Sequence, residues 1–230
     1  MTFDARLKLF LFLACLFVTS LLVGDLIGGK LYQTEVGGLA LTISVGMIPF
    51  PVVFLLTDLI NEFYGARSAR FVTMVGFAMA WFTILLLVVA GAVPWAPFTQ
   101  AADWPGVRQA SFDNIFASSR KILICSTVAY LVGQLIDIFI FHALRRRLKG
   151  RFLWLRATGS TVVSQLIDTV IINFLVWSGS LPFSTILSLI GTSYLVKLAT
   201  AIALTPLIYG GHALVERGLG LQPYVADEKA

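Results

Sequence analysis

The sequence predicts an all-α, polytopic membrane protein built as a bundle of about six transmembrane helices. Of its 230 residues, 58% are hydrophobic and only 13% are charged, about half the charged share of a soluble domain. The mean hydropathy is +0.88, and the apolar residues fall in blocks long enough to cross a bilayer. Lipid offers no partner to a free backbone N–H or C=O, so such blocks are helices. The strict apolar–polar alternation of a membrane barrel is absent.

In chain order, the spans are expected over residues 7–27, 41–62, 71–93, 122–143, 157–177 and 185–209, with 218–230 as a cytoplasmic tail and the whole chain as one integral membrane domain. The first block ends at Gly24-Asp25. Its basic start and Cys15 imitate a lipoprotein signal, but the apolar run continues past Cys15 to Val23, so it reads as a membrane helix. The second carries Pro49-Phe50-Pro51, which removes backbone donors and predicts a kink near mid-membrane. The third is almost uniformly apolar, and its flat face suits a homodimer. A polar stretch with Trp95 and Trp104 follows, marking an interfacial loop. Three further apolar blocks complete the bundle.

The net charge of +5 reads as topology rather than a phosphate-binding face, so no direct nucleic-acid partner is expected. Arg6, Lys8, Arg67, Arg70, Arg145, Arg146, Arg147, Lys149, Arg151, Arg156, Arg217 and Lys229 fall on one side of the membrane. Lys30, Arg108, Arg120 and Lys121 fall on the other. The richer side is cytoplasmic, which predicts an inner-membrane protein in contact with lipid, with both termini inside. Cys15 and Cys125 sit in apolar blocks as packing residues, and neither a metal nor a cofactor is expected.

Polar residues inside the spans cost several kcal/mol and read by default as a site. Asp58, Asn61 and Glu62 share one helix turn or the next; Gln134 and Asp137 share a face; so do Thr161, Gln165, Asp168 and Thr169. Lys197, three residues after Tyr194, is the one cation deep in a span, and Asn173 completes the set. Structural alternatives stand beside each. Asp58 and Glu62 can pair with Arg67 or Arg70, Asp137 with the Arg145–Arg147 run, and Asp168 with Lys197. His142 and His212 read as interfacial. Gly133-Gln134-Leu135-Ile136-Asp137 is echoed by Ser164-Gln165-Leu166-Ile167-Asp168 on the next, oppositely directed span, as in a possible inverted repeat. Facing carboxylates and amides suit a flat heterocycle with donors and acceptors along its edges.

The run from Phe50 to Gly65, Phe-Pro-Val-Val-Phe-Leu-Leu-Thr-Asp-Leu-Ile-Asn-Glu-Phe-Tyr-Gly, followed by Ala69-Arg70, resembles the signature of the queuosine precursor transporter family, also called the vitamin uptake transporter family. The two Gln-Leu-Ile-Asp stretches agree, as does Tyr194-Leu195-Val196-Lys197 leading to Pro206-Leu207-Ile208-Tyr209-Gly210. The resemblance covers nearly the whole chain. It implies a six-helix inner-membrane importer of 7-deazaguanines such as preQ0, preQ1 or queuine, salvaged for tRNA queuosine. On that reading Asp168 and Asp137 recognise or couple, Gln134 and Gln165 read polar edges, and Lys197 holds a carboxylate in the resting site. The family varies at the end of the second span, which weakens a direct role for Glu62. No residue pattern singles out a coupling ion. Two rivals differ in kind. A substrate-capture subunit would need an ATP-driven partner, since the chain has no Walker A motif. An intramembrane aspartyl protease using Asp137 and Asp168 would be an enzyme, but its expected Gly-x-Gly-Asp signature is missing.

Overall fold

The computed structural model describes residues 4–224 other than 29, 37–38, 118–119, 150, 180 and 219. Of the expected tail over 218–230, residues 219 and 225–230 therefore lie outside the described residues.

Helix α1, Ala5–Ile27, starts where the Asp4 carboxylate accepts the Leu7 N–H at 2.8 Å, the usual side-chain cap for an orphan first-turn donor. It buries Leu13, Phe17 and Leu21, spaced by four, and turns Leu11, Phe12 and Leu16 outward. Strands β1 (Leu31–Val36) and β2 (Leu39–Ser44) then pair antiparallel, from Val36 opposite Leu39 to Leu31 opposite Ser44, and a 3₁₀ turn follows at Val45–Met47. This corrects the second expected span: residues 41–49 are not helical, and the helix opens only at Phe50.

Helix α2, Phe50–Ala92, has 43 residues, about 65 Å at 1.5 Å per residue. That is roughly twice the ~30 Å hydrocarbon thickness. Gly65, at φ 80° and ψ 173°, breaks it, giving two helical segments, 50–64 and 66–92. The expected proline kink is thus also corrected. Pro49 caps the helix and Pro51 lies in its first turn, where a missing N–H costs nothing; the bend falls at the glycine instead. The 66–92 segment presents Phe71, Phe82 and Leu85 outward.

After the loop, which holds the short α3 (Gln109–Phe112), come α4 (Arg120–Arg147), α5 (Leu153–Trp177) and α6 (Phe183–Ala213). Each runs a turn or so beyond its expected bounds at one end or both. The protein is a multi-pass all-α membrane bundle, with the hairpin as an appendage between its first two helices. Its main core joins Phe17 of α1, Leu56, Ile60, Phe63 and Val72 of α2, and Ile138 of α4.

Candidate functional site

A ladder of polar side chains runs between α2, α4, α5 and α6. The 50–64 segment of α2 is about 22 Å long, short of a full crossing. Its first residue ends beside Lys197, midway along α6. The Lys197 Nζ stands 4.8 Å from the centre of the Phe50 ring and 2.6 Å from Asp168 Oδ2 on α5, so the ammonium is held by a carboxylate and an aromatic face together.

The next layer holds Asp58 of α2, Asp137 of α4 and Ser164 of α5, with Gln134 and Gln165 buried on α4 and α5. The Ser164 hydroxyl donates to Asp137 Oδ1 at 3.0 Å. Asp58 is 3% exposed, Asp137 0%, and both glutamines 1%. Nevertheless, among the described residues, Asp58 Oδ1, Asp137 Oδ2, the amide oxygen and nitrogen of both Gln134 and Gln165, and Thr169 Oγ1 find no hydrogen-bond partner. A buried polar atom left unpaired costs about 1–3 kcal/mol, so a cluster of them is a feature that function, not stability, retains. A small crevice of about 20 Å³ between α2, α5 and α6 is lined by Asp58 together with Pro51, Phe54, Thr161 and Leu204.

The two Gln-Leu-Ile-Asp stretches meet in a reciprocal way. Gly133, which opens the first, lies against Asp168, which closes the second: a Cβ at Gly133 would stand 3.1 Å from Asp168 Cβ. Ser164, opening the second, donates to Asp137, closing the first. Both contacts join the start of one stretch to the end of the other.

The third layer lies about 6 Å further along α2, one helical turn from Asp58. Arg156 of α5, 1% exposed, donates to Glu62 Oε2 at 2.8 Å and Oε1 at 3.3 Å, and its guanidinium covers the Phe141 ring. Arg145 reaches Glu62 Oε2 at 3.4 Å and His212 reaches Oε1 at 3.9 Å. Beyond it, the last carbonyls before Gly65 have no partners within their helix, and basic groups favour such an end. Arg145 donates to the carbonyls of Asn61 and Glu62, Arg6 to that of Phe63 at 2.6 Å, and the Tyr224 N–H to that of Glu62 at 2.8 Å. Arg145 also donates to the Tyr224 carbonyl, and the Tyr224 ring lies against Gly65.

The structure therefore gathers Asp58, Gln134, Asp137, Gln165, Asp168 and Lys197 into the ladder, with Glu62 at its foot. The remaining candidates have partners of their own. Asn61 accepts at Oδ1 from His142 Nε2 at 3.1 Å, the Asn173 amide donates to the Thr169 carbonyl, and the Tyr194 hydroxyl donates to the Val162 carbonyl at 3.0 Å. Two structural alternatives are corrected. Glu62 pairs with Arg156 and Arg145, not Arg67 or Arg70, because Gly65 turns the following segment away and leaves both of those arginines exposed. Asp137 does not reach the Arg145–Arg147 run, since Arg145 is committed to Glu62. Arg156, Ser160 and Ser164 were missed as site residues. Their spacing of four from each other and from Asp168 was the available signal.

A family model described as "Putative vitamin uptake transporter" matches residues 44–211. The chain belongs to that family. The matched region takes in all three polar layers and leaves out α1 and most of the hairpin. Family members similar to this chain carry more specific names. A "Probable queuosine precursor transporter" of Bacillus subtilis is 30% identical over 178 residues, covering 76% of this chain and 74% of that protein. The "Queuosine precursor transporter" of Escherichia coli is 30% identical over 148 residues, covering 63% of this chain and 60% of its own length. For a "Probable queuosine precursor transporter" of Haemophilus influenzae the figures are 30% over 129 residues, 55% and 48%. No solved structure matches the chain.

Proposed function

We propose that this family member imports queuosine precursors, 7-deazaguanines such as preQ0, preQ1 or queuine, across the bacterial inner membrane with both its termini cytoplasmic. The observation that carries the reading is the layer of unpartnered Asp58, Gln134, Asp137 and Gln165 atoms. A deazaguanine edge offers two parallel N–H donors suited to a carboxylate, and a ring carbonyl and nitrogen suited to an amide. Its flat face suits an aromatic wall, and Phe54 lines the same crevice as Asp58. The names of the three relatives point to the same class of solute.

Ion pairs bound that layer at both ends. The Lys197–Asp168 pair lies above it and the Glu62–Arg156–Arg145 group below it. Passage through the ladder requires each to part in turn, and the paired state of one closes its end while the other is open. Polar atoms on α4 and α5 move as a unit, because Gly133 and Ser164 lock those helices together.

The test uses cells that make no deazaguanines and lack an importer of their own. Given this gene and nanomolar preQ0, preQ1 or queuine, they acquire queuosine-modified tRNA, and the dose ranking names the preferred solute. If tRNA stays unmodified while the protein is folded in the membrane, the solute assignment fails. Direct binding by the purified protein would then favour a capture subunit for an ATP-driven partner.

A further inference from the structure

The buried ionised groups do not balance. Lys197 is held by Asp168, and Arg156 and Arg145 are held by Glu62. Asp58 and Asp137 are left with no cation within 4 Å among the described residues, and each keeps one carboxylate oxygen unpartnered. They lie on facing stretches of α2 and α4, whose neighbouring residues Leu59, Ile60 and Ile138 belong to one packed core.

The reciprocal packing of α4 and α5 sharpens the imbalance. Asp137 and Asp168 close equivalent stretches in equivalent positions, yet one has a lysine at 2.6 Å and the other has the Ser164 hydroxyl at 3.0 Å. A hydroxyl carries no net charge, so the positive charge that faces Asp168 has no counterpart at Asp137. The charged and titratable groups on the surrounding elements do not supply it. On α2 there is Glu62, on α4 His142 and Arg145, on α5 Arg156 and Asp168, and on α6 Lys197 and His212. His142 is engaged with Asn61, and His212 lies between Glu62 and Glu216. On α1, Arg6 is spent on the Phe63 carbonyl, and Asp25 sits near the opposite end beside Ser126. Two like charges sharing a dry site do not both remain ionised.

We propose that Asp58 and Asp137 hold one proton between them in the solute-free protein, and that this pair is where the carrier meets the proton gradient. The second half rests on the importer reading; the first does not. One proton makes the pair singly negative and leaves Asp137 the acceptor of the Ser164 hydroxyl. Such carboxylate protons serve as relays in transport proteins.

Two measurements test this on the full-length protein. Infrared difference spectroscopy in lipid nanodiscs, between neutral and strongly alkaline pH, reads protonated carboxyl groups without any solute. A carboxylic-acid C=O band that shifts in heavy water is expected at neutral pH, with a component lost in Asp58→Asn or Asp137→Asn. Absence of the band in the wild type overturns the proposal, as does a band left intact in both variants. In proteoliposomes with the membrane potential clamped and sodium equal on both sides, an inward proton gradient of one pH unit drives preQ0 accumulation to about tenfold for one proton per solute. Accumulation that follows sodium and ignores pH, or mere equilibration, overturns the coupling. A wild type that shows the band but moves no deazaguanine sinks the solute assignment and leaves the proton site standing.

Discussion

Replacing Arg156 by methionine keeps a long apolar side chain on α5 and removes the guanidinium. Arg156 meets both oxygens of Glu62, at 2.8 and 3.3 Å, with neither residue exposed. Without it, Glu62 retains Arg145 at 3.4 Å and His212 at 3.9 Å. Removing one partner of a buried ion pair costs about 3–5 kcal/mol. Because Arg145 still reaches the same oxygen, the lower end applies, about 3 kcal/mol. For a chain of this length each kcal/mol moves the midpoint by about 2–4 °C, so the thermal midpoint in detergent falls by about 6–12 °C. Tryptophan fluorescence or fluorescence-detected size exclusion reads it. The companion variant is the double replacement Glu62→Gln with Arg156→Met, which removes the stranded charge and recovers at least half of the loss. A single variant melting within about 2 °C of the wild type, or a double variant melting as low as the single, would refute the argument that Arg156 exists to neutralise Glu62.

Asp168→Asn strands Lys197 beside Phe50 and is expected to abolish uptake while the protein still inserts; normal uptake removes Asp168 from the mechanism. Gly65→Ala forces a Cβ onto a backbone at φ 80° and ψ 173° and to within 2.9 Å of the Tyr224 ring, costing about 1–3 kcal/mol from the backbone alone. Adding Tyr224→Ala is expected to recover only the overlap, so a full recovery would show that the glycine's conformation is not needed. Gly133→Leu places side-chain atoms where Asp168 now sits and is expected to separate α4 from α5, lowering the thermal midpoint and uptake together. A fully stable, active Gly133→Leu variant would mean that α4 and α5 do not depend on that close approach.

The helices were legible because lipid leaves few alternatives to them. Blocks around Leu13, Leu85 or Phe174 are too apolar for water and too long for a strand. The exact breaks were less so. Pro49 and Pro51 are compatible with a kink inside a helix and with a helix start, and only the hairpin ahead of them decides for the start. Gly37-Gly38 between two runs rich in β-branched and aromatic residues was the hairpin signal, masked by its place between two membrane helices. Gly65 falls between the expected spans 41–62 and 71–93, and one residue at positive φ suffices to turn the chain there. At the site, the Lys197–Asp168 pair was readable from depth alone, since a lone cation in a span needs an acid. Arg156 was not: at a helix start it looks like one more cytoplasmic positive charge, and its burial comes from the approach of α2, a contact 94 residues away in sequence.

The end of the helix before Gly65 is secured by residues from both extremes of the chain, Arg6 and Tyr224, and by Arg145 between them. During synthesis, that helix enters the membrane when more than half of the protein is still unmade. Its terminal carbonyls then have Arg6 at hand, but neither Arg145 nor Tyr224 exists. The bend at Gly65 is therefore among the first features threaded into the bilayer and among the last to be finished. A nascent chain stalled before Tyr224 holds its helices and its polar ladder but lacks the closing stitch. Closing this helix end therefore waits for the segment that carries Tyr224, which is made well after the helix itself.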